Sequence, residues 1–238
     1  MNNQYGRKFL AESSWEKGRK TEQMRRTGIE LPVSAGSRII TLPEPEMLAD
    51  QHVNFLEMVE LRSTVRQYSK DALSLKELSY LLWCTQGVKA VKNNMTLRTV
   101  PSAGGSHSFE TYLLINNVEG LEPGVYRFLA VEHALTEITV NKSVIEECFS
   151  TVNTVKNSAV TFIWSSVIER LSCHYGERAY RYVFLDAGHV CQNLYASAQT
   201  ISAGVCPLGA FDDRKINAAF KFDVAQQFVV YGAAVGKL

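Results

Sequence analysis

The spacing of apolar positions predicts helices at three places in the chain. The best marked of them carries leucines on one helical face, at positions 75, 78, 81 and 82. Ser74 and Glu77 form a capping box ahead of these leucines, and Gly87 stands where a helix would end. The other two predicted helices run from near Glu44 to Leu61 and, as the longest in the chain, from Arg178 to Ser202.

Short apolar runs bounded by turn residues predict strands, together with two shorter helices. The predicted strands are Phe109 to Asn116, Gly124 to Phe128, Ala159 to Ser165 and Gln227 to Val235. A capping-box helix is predicted over Ser143 to Ser150, and Asp212 or Asp213 can cap another that runs through Phe220. Long helices interleaved with a few strands in irregular order favour an α+β fold. No glycine-rich dinucleotide-binding fingerprint follows a strand, which argues against a Rossmann fold.

Composition and charge narrow the class of protein. The chain has 238 residues, 46% of them hydrophobic, and its 25 Lys and Arg against 24 Asp and Glu give a formal charge of +1. A chain of this length can bury roughly 70 to 75% of the surface that its unfolded form exposes, so its core needs neither a disulfide nor a structural metal. The near-neutral charge offers no field that would concentrate nucleic acid or an anionic membrane surface. We therefore expect neither nucleic acid nor a membrane as partner.

The first part of the chain differs in composition from the rest. Residues 1–30 carry seven Lys or Arg and four Glu, which alternate in sign, and few aliphatic side chains. This alternation favours a solvated or partner-wrapping extension over a basic arm that grips nucleic acid. The sequence thus predicts an N-terminal arm at 1–41 and one folded domain at 42–238.

Cysteine usage and the start of the chain indicate a cytoplasmic protein. The five cysteines are scattered and never form the two-residue-spaced pairs that suggest zinc or redox chemistry, so we expect buried thiols in a reducing compartment. The five histidines show no ligand-type spacing either, and no metal site is predicted. No apolar run approaches the roughly 18 residues of a membrane span. Lys8 and Glu12 stand where a signal peptide needs its apolar stretch.

Three stretches have residues suited to a ligand. The first has two guanidinium groups and two hydroxyl groups within five residues: Arg62, Ser63, Thr64 and Arg66. This set suits a phosphate group, because Arg binds phosphate oxygens through two parallel hydrogen bonds, although a solvated surface turn would have the same composition. The second and third are small-residue loops that would let a backbone approach a flat ligand, or would simply be flexible. They comprise Pro101, Ser102, Ala103, Gly104, Gly105 and Ser106 in the one, and Pro207, Leu208, Gly209, Ala210 and Phe211 in the other.

The order of these elements resembles the nitroreductase superfamily of flavin enzymes, and most of all its branch of SagB-type dehydrogenases. The resemblance covers roughly Leu42 to Lys237. The matching segments are Leu61 to Tyr68, Leu73 to Val88, Thr99 to Gly105, Val118 to Arg127, Tyr175 to Asn193 and Gly209 to Asp213. It implies a nitroreductase-like α+β fold, in which helices flank a central, mostly antiparallel sheet, and an obligate homodimer.

The resemblance also implies FMN as cofactor, bound at the dimer interface, with NAD(P)H as a possible electron donor. Arg62, Ser63, Thr64 and Arg66 match the segment that holds the phosphate and reaches the pyrimidine edge of the flavin. Pro101, Ser102, Ala103, Gly104 and Gly105 match the loop under the ring system. Leu208, Gly209 and Ala210 match the loop whose backbone amide faces flavin N5, and Lys237 lies near a C-terminal basic phosphate contact of the family.

Two departures from the branch concern the substrate. His107 and Ser108 stand where many members have Tyr-Pro, and His174 with Tyr175 stands where azoline-oxidising members have a Lys-Tyr pair that acts as the base. Because a His can also move a proton near neutral pH, His174 and Tyr175 are the candidate catalytic pair, or else they cap and pack the helix start. The leading hypothesis is an FMN-dependent oxidoreductase that passes hydride from NAD(P)H to a nitroaromatic or quinone. The alternatives are an azoline-type dehydrogenase or oxidase of a peptide-derived substrate, and a non-catalytic flavin-binding subunit.

Overall fold

The protein folds around a seven-stranded antiparallel sheet. The computed structural model describes residues 4–18, 28–45 and 54–238. The strands are β1 (Ile39–Thr41), β2 (Val88–Lys92), β3 (Met95–Arg98), β4 (Phe109–Ile115), β5 (Gly124–Leu129), β6 (Ala134–Ile138), β7 (Val160–Val167), β8 (Ala203–Leu208) and β9 (Gln227–Lys237). The large sheet has the order β1-β6-β5-β4-β7-β9-β8, and β2 and β3 form a separate hairpin. Every neighbouring pair in the large sheet is antiparallel.

Helices cover both faces of this sheet. They are α1 (Gln4–Glu12), α2 (Trp15–Gly18), α3 (Phe55–Leu61), α4 (Leu75–Gln86), α5 (Lys142–Glu146), α6 (Val152–Asn157), α7 (Glu169–Tyr175), α8 (Ala179–Gln199) and α9 (Asp213–Phe220). Successive residues of a strand point to opposite faces, so each central strand contributes to two core layers. Leu113 of β4 packs in the layer that contains α4 and α8, whereas its neighbour Leu114 packs in the layer that contains α5 and α9.

Local sequence signals account for the clearest elements. Ser74 caps α4 through the capping box with Glu77, as predicted, and the buried face of this helix includes Leu78, Leu81 and Leu82. Helix α8 spans 21 residues, and its apolar stripe packs against α4 and the sheet. Asp212 caps α9, because its side chain accepts a hydrogen bond from the amide of Lys215 in the first turn. These three predictions are confirmed. Each was based on residues that lie close together in the chain.

Other predictions need correction. Residues 42–45 are not helical and α3 begins only at Phe55, while the part of the predicted helix at 46–53 lies outside the described residues. The predicted helix over 143–150 is shorter, covers Lys142–Glu146, and is capped by Asn141. Strands β1, β2, β3, β6 and β8 and helices α1, α2, α6 and α7 were not predicted. They are three to nine residues long, which is too short for a clear periodic pattern.

The described residues of the predicted arm contact the domain. Ile40 of β1 pairs with Leu135 of β6 at the edge of the sheet. At the other end of the arm, the guanidinium group of Arg178 donates to the carbonyl oxygen of Ser13 at 2.9 Å and lies 5.7 Å from the ring centroid of Trp15. Within residues 4–18, 28–45 and 54–238, no helix combines the length and the apolar character that crossing a bilayer requires.

Candidate functional site

The predicted phosphate-binding segment runs across the end of the sheet. Arg62 follows the last residue of α3, and beyond it the amide of Val65 donates to the carbonyl oxygen of Val205 in β8 at 3.0 Å. Further on, the amide of Ser69 donates to the carbonyl oxygen of Lys237 at 2.9 Å. This close approach needs glycine in the strands beneath: a Cβ on Gly204 would lie 2.6 Å from Val65, and one on Gly236 would lie 2.6 Å from Tyr68.

Tyr195 of α8 fixes this segment from below. Its hydroxyl group lies 2.8 Å from Thr64 Oγ1, and the guanidinium carbon of Arg62 lies 5.2 Å from its ring centroid. The ring is buried while Ser63 and Arg66 are exposed, so the four polar residues of the segment stay at the surface above it. The cation–π contact orients the Arg62 guanidinium without neutralising its charge.

A second tyrosine lies near both this segment and the predicted loop at 207–211. Tyr231 of β9 lies near Cys191, Tyr195 and Cys206, and burial raises the pKa of its hydroxyl to about 12. A Cβ on Gly209 would lie 3.6 Å from the Tyr231 ring. Arg66 also lies near Cys206, where its charge partly opposes the rise in the pKa of the thiol that burial causes. The polar segment at 62–66 and the loop at 208–210 meet the same strand, because Thr64 forms a parallel bridge with Val205 of β8 and β8 ends at Leu208.

The glycine loop at 101–106 is held by Asp186 of α8. The hydroxyl of Ser102 donates to Asp186 Oδ2 at 2.6 Å, and the amide of Ala103 donates to Asp186 Oδ1 at 3.1 Å. Burial raises the pKa of this carboxyl group, and the two hydrogen bonds partly oppose that rise. Gly104 and Gly105 have φ of +56° and +61°, a left-handed conformation that glycine adopts without strain. Pro101 and Gly104 are exposed, so the outer side of the loop is accessible in this chain.

The predicted catalytic pair lies against this loop. His174 and Tyr175 form the last turn of α7, with ring centroids 6.3 Å apart. The Tyr175 hydroxyl contacts Gly104 so closely that a Cβ there would overlap it, and the Tyr175 ring packs edge-on against Tyr182 at 4.8 Å. His174, Tyr175 and the loop at 101–105 thus form a second group of predicted site residues.

The two groups lie on opposite faces of α8. Asp186, which holds the glycine loop, and Tyr195, which supports the phosphate segment, are nine positions apart in one helix. Nine residues correspond to about two and a half helical turns and roughly 13.5 Å of rise, so the two side chains point in opposite directions. One copy of the chain does not bring the segment at 62–66 and the loop at 101–105 together.

Lys237 is engaged elsewhere. Its ammonium group donates to Glu77 Oε1 at 2.7 Å and to the carbonyl oxygen of Ile201 at 2.7 Å. Its charge is therefore balanced by the carboxylate that also caps α4. This contact ties the C-terminal strand to that helix.

The cysteines and histidines form no metal centre in the part of the chain that the structure describes. No group of three or more His, Cys, Asp or Glu side chains is placed to hold a metal ion there. All five cysteines are free, and four are buried. Burial raises the pKa of Cys191 to about 11 and lowers that of His107 to about 4, so both groups are neutral near pH 7. His52 lies outside the described residues.

Sequence reasoning missed three residues that organise the site: Asp186, Tyr195 and Tyr231. Asp186 and Tyr195 lie on the predicted helix, where spacing alone does not distinguish a support for a loop from a core position. Tyr231 interrupts an otherwise apolar strand, and this interruption is the one signal that could have pointed to it. Their roles depend on contacts with segments up to about 130 positions away in the chain, such as Thr64 with Tyr195.

Comparisons with known proteins agree with the fold. A sequence model described as the nitroreductase family matches residues 59–237. A protein of Methanocaldococcus jannaschii that bears a nitroreductase name is 30% identical over 184 residues, which cover 76% of this chain and 89% of the relative. A nitroreductase-named crystal structure from Ralstonia eutropha has a TM-score of 0.68 at 20% identity and covers 92% of this chain and 96% of its own. Another, from Desulfovibrio desulfuricans in complex with FMN, has a TM-score of 0.53 at 16% identity and covers 76% of this chain and 84% of its own. The predicted nitroreductase-like α+β fold with its large antiparallel sheet is confirmed.

Proposed function

The chain belongs to the nitroreductase family, and on that premise we propose that it is an FMN-dependent oxidoreductase. It would take hydride from NADH or NADPH and deliver electrons to a small electrophilic acceptor of the nitroaromatic or quinone type. One structurally similar family member was crystallised with FMN, which supports the choice of cofactor. The observation on which the proposal depends is that the polar segment at 62–66 and the loop at 208–210 meet the same edge strand, β8.

The residues of the polar segment at 62–66 suit the phosphate of FMN. Arg62 and Arg66 offer guanidinium groups for the terminal phosphate, and Ser63 adds an exposed hydroxyl. Thr64 is held by Tyr195, so the segment is preorganised before any ligand arrives. We assign the phosphate to this segment and not to Lys237, because the ammonium of Lys237 already pairs with Glu77.

The two loops would bind the ring system. When bound, FMN supplies the hydride and electron transfer at that ring system. Gly209 and Ala210 are exposed, so their backbone N–H groups are available as donors, and the exposed side of Gly104 is open to a flat ligand. Arg62 and Arg66 would also stabilise the negative charge that a reduced flavin carries.

We propose that two copies of the chain complete each site, with the second copy supplying the loop at 101–105. This follows from the opposite faces of α8 on which Asp186 and Tyr195 lie. The exposed apolar residues on two neighbouring helices also suit a dimer interface, because a monomer rarely leaves such side chains in water. They are Phe55, Leu56, Val59 and Leu61 around α3, and Phe184 and Leu185 of α8.

The contact between Tyr175 and Gly104 favours a second function of the same site. Because the tyrosine of the predicted catalytic pair touches the predicted flavin loop, it would lie near a substrate bound on the flavin. A dehydrogenase or oxidase of azoline rings in a peptide-derived substrate would use it, with His174 in place of the lysine of that branch. A third candidate, a flavin-binding subunit without turnover, needs only the phosphate segment and the loops.

Absorbance and reduction of the purified protein test these functions. We expect a yellow protein, or one that takes up added FMN, whose flavin is bleached by NADH or NADPH without oxygen. Bleaching by an azoline-containing peptide and not by nicotinamide would favour the second function, and a flavin that neither reagent reduces would favour the third. A colourless protein that takes up no FMN would overturn all three.

A further inference from the structure

A small cavity lies against the glycine loop and the hairpin of β2 and β3. Its walls include Gly105 and Ser106 of the loop, Ile29 of the arm, Thr96 of β3 and Arg170 of α7. Its volume is about 10 Å³. A space of this volume, which Asn94 and Met95 also line, suits a ligand with a single heavy atom.

Two hydrogen-bond donors in this wall are unsatisfied. The Arg170 side chain is buried; its Nε donates to the carbonyl oxygen of Gly28 at 2.9 Å and its Nη2 to Glu110 Oε1 at 2.6 Å. Arg170 Nη1 and the hydroxyl group of Ser106 have no partner among the described residues, although both are buried. Buried polar groups in native proteins nearly always find a partner, and two donors at one cavity call for an acceptor between them.

The surroundings of the cavity carry excess positive charge. Arg98, Arg127 and Arg170 are buried there, and Glu110 is the buried carboxylate that faces them among the described residues. Arg98 is bonded to the neutral side chains of Thr96 and Gln86, and burial together with the charge of Arg170 lowers its pKa to about 10. Burial and the neighbouring Glu132 raise the pKa of Glu30 to about 7, so Glu30 compensates this charge only in part near neutral pH. Buried guanidinium groups need counter-charge.

We propose that this cavity binds one monatomic anion of the halide type between Arg170 Nη1 and Ser106 Oγ. A water molecule could also accept both hydrogen bonds, but it would add no negative charge to that of Glu110 and the partly ionised Glu30 beside the three guanidinium groups. Phosphate, sulfate and carboxylates are too large for the volume. Because its walls belong to the arm and to the glycine loop, the bound anion stabilises both segments together and makes the stability of the loop depend on the salt present.

Anion replacement tests the proposal on the full-length protein. We expect the Tm to rise with sodium chloride relative to sodium gluconate at equal ionic strength and to saturate, as binding to one site requires. Ser106→Ala, which removes one donor, should abolish most of this difference. Ser108→Ala is the matched control, since Ser108 is buried nearby and bonds to Ser166 outside the cavity, and it should keep the difference.

Bromide provides the decisive measurement, and it does not depend on a variant that folds. Crystals grown or soaked in sodium bromide should show an anomalous peak between Arg170 and Ser106. An ordered feature there without anomalous signal would identify water and overturn the proposal. Equal Tm values of the unmodified protein in chloride and gluconate would do the same.

Discussion

The hydroxyl group of Tyr175 lies against Gly104, in the space that the Cβ of any other residue at 104 would occupy. Gly104 has φ of +56°, so both its conformation and its surroundings require glycine. This contact joins the end of α7 to the loop that we propose lies under the flavin ring. This contact is the reason why we propose that Tyr175 lies beside the substrate.

Gly104→Ala should disturb the loop more than its backbone conformation alone explains. The new methyl group would overlap Tyr175, so we expect reduced flavin occupancy and a lower Tm. Gly120→Ala is the matched control, because Gly120 has φ of +78° and no atom lies within 4 Å of the place that its Cβ would take. The flavin-to-protein absorbance ratio measures the difference. Equal effects of the two substitutions would mean that the Tyr175 contact is unimportant, whereas adding Tyr175→Phe to Gly104→Ala should restore part of the occupancy.

Arg62→Ala should weaken FMN binding strongly. A charge-assisted hydrogen bond contributes about 1.5 to 3 kcal/mol, which corresponds to roughly a 10- to 150-fold increase in Kd. Titration of the FMN-free protein, followed by flavin fluorescence, measures this constant. Arg214→Ala removes an exposed arginine from α9 and should leave the constant unchanged. Unchanged affinity in Arg62→Ala would show that the phosphate lies elsewhere.

Leu185→Glu should dissociate the proposed dimer. Leu185 is 55% exposed on α8, and a carboxylate at this place would have to be desolvated in an interface between copies. We expect the mass from light scattering to fall from two chains to one, and the flavin content to fall with it. Val224→Glu is the matched control, because it introduces the same charge at an apolar residue that is 61% exposed and lies outside α3 and α8. A monomeric unmodified protein with full flavin content would refute the shared site.

Glu30→Gln should change how stability depends on pH. Burial, with the nearby Glu132, raises the pKa of Glu30 to about 7 from 4.5, so the folded protein binds this proton more tightly than the unfolded chain. Its contribution to stability is therefore full below about pH 4.5 and is lost as the pH rises to about 7. Relative to the unmodified protein, Glu30→Gln should gain stability between pH 5 and 8, as measured by urea unfolding. The free energies of unfolding of the two proteins are compared as a difference, because burial lowers the pKa of His107 and its effect on the pH dependence is opposite to that of Glu30. Glu119→Gln, at an exposed position, should run parallel to the unmodified protein.

The sequence alone determined the elements whose signals are local. The capping box of Ser74 and Glu77 predicts the start of α4 because both partners lie in one helical turn. The stripe of α8 and the central strands are likewise set by apolar spacing between near neighbours. The polar segment at Arg62 was visible because its four members follow one another in the chain.

Only the tertiary structure decided which of these segments meet. Asp186 binds Ser102, and Tyr195 binds Thr64. The spacing of Asp186 and Tyr195 places them on opposite faces of α8, but the sequence does not show which segment packs against each face. The sequence likewise does not show that Lys237 forms an ion pair with Glu77. Nor does it show that Arg170 Nη1 has no partner among the described residues. Burial and pairing are properties of atoms far apart in the chain, and apolar spacing carries no information about them.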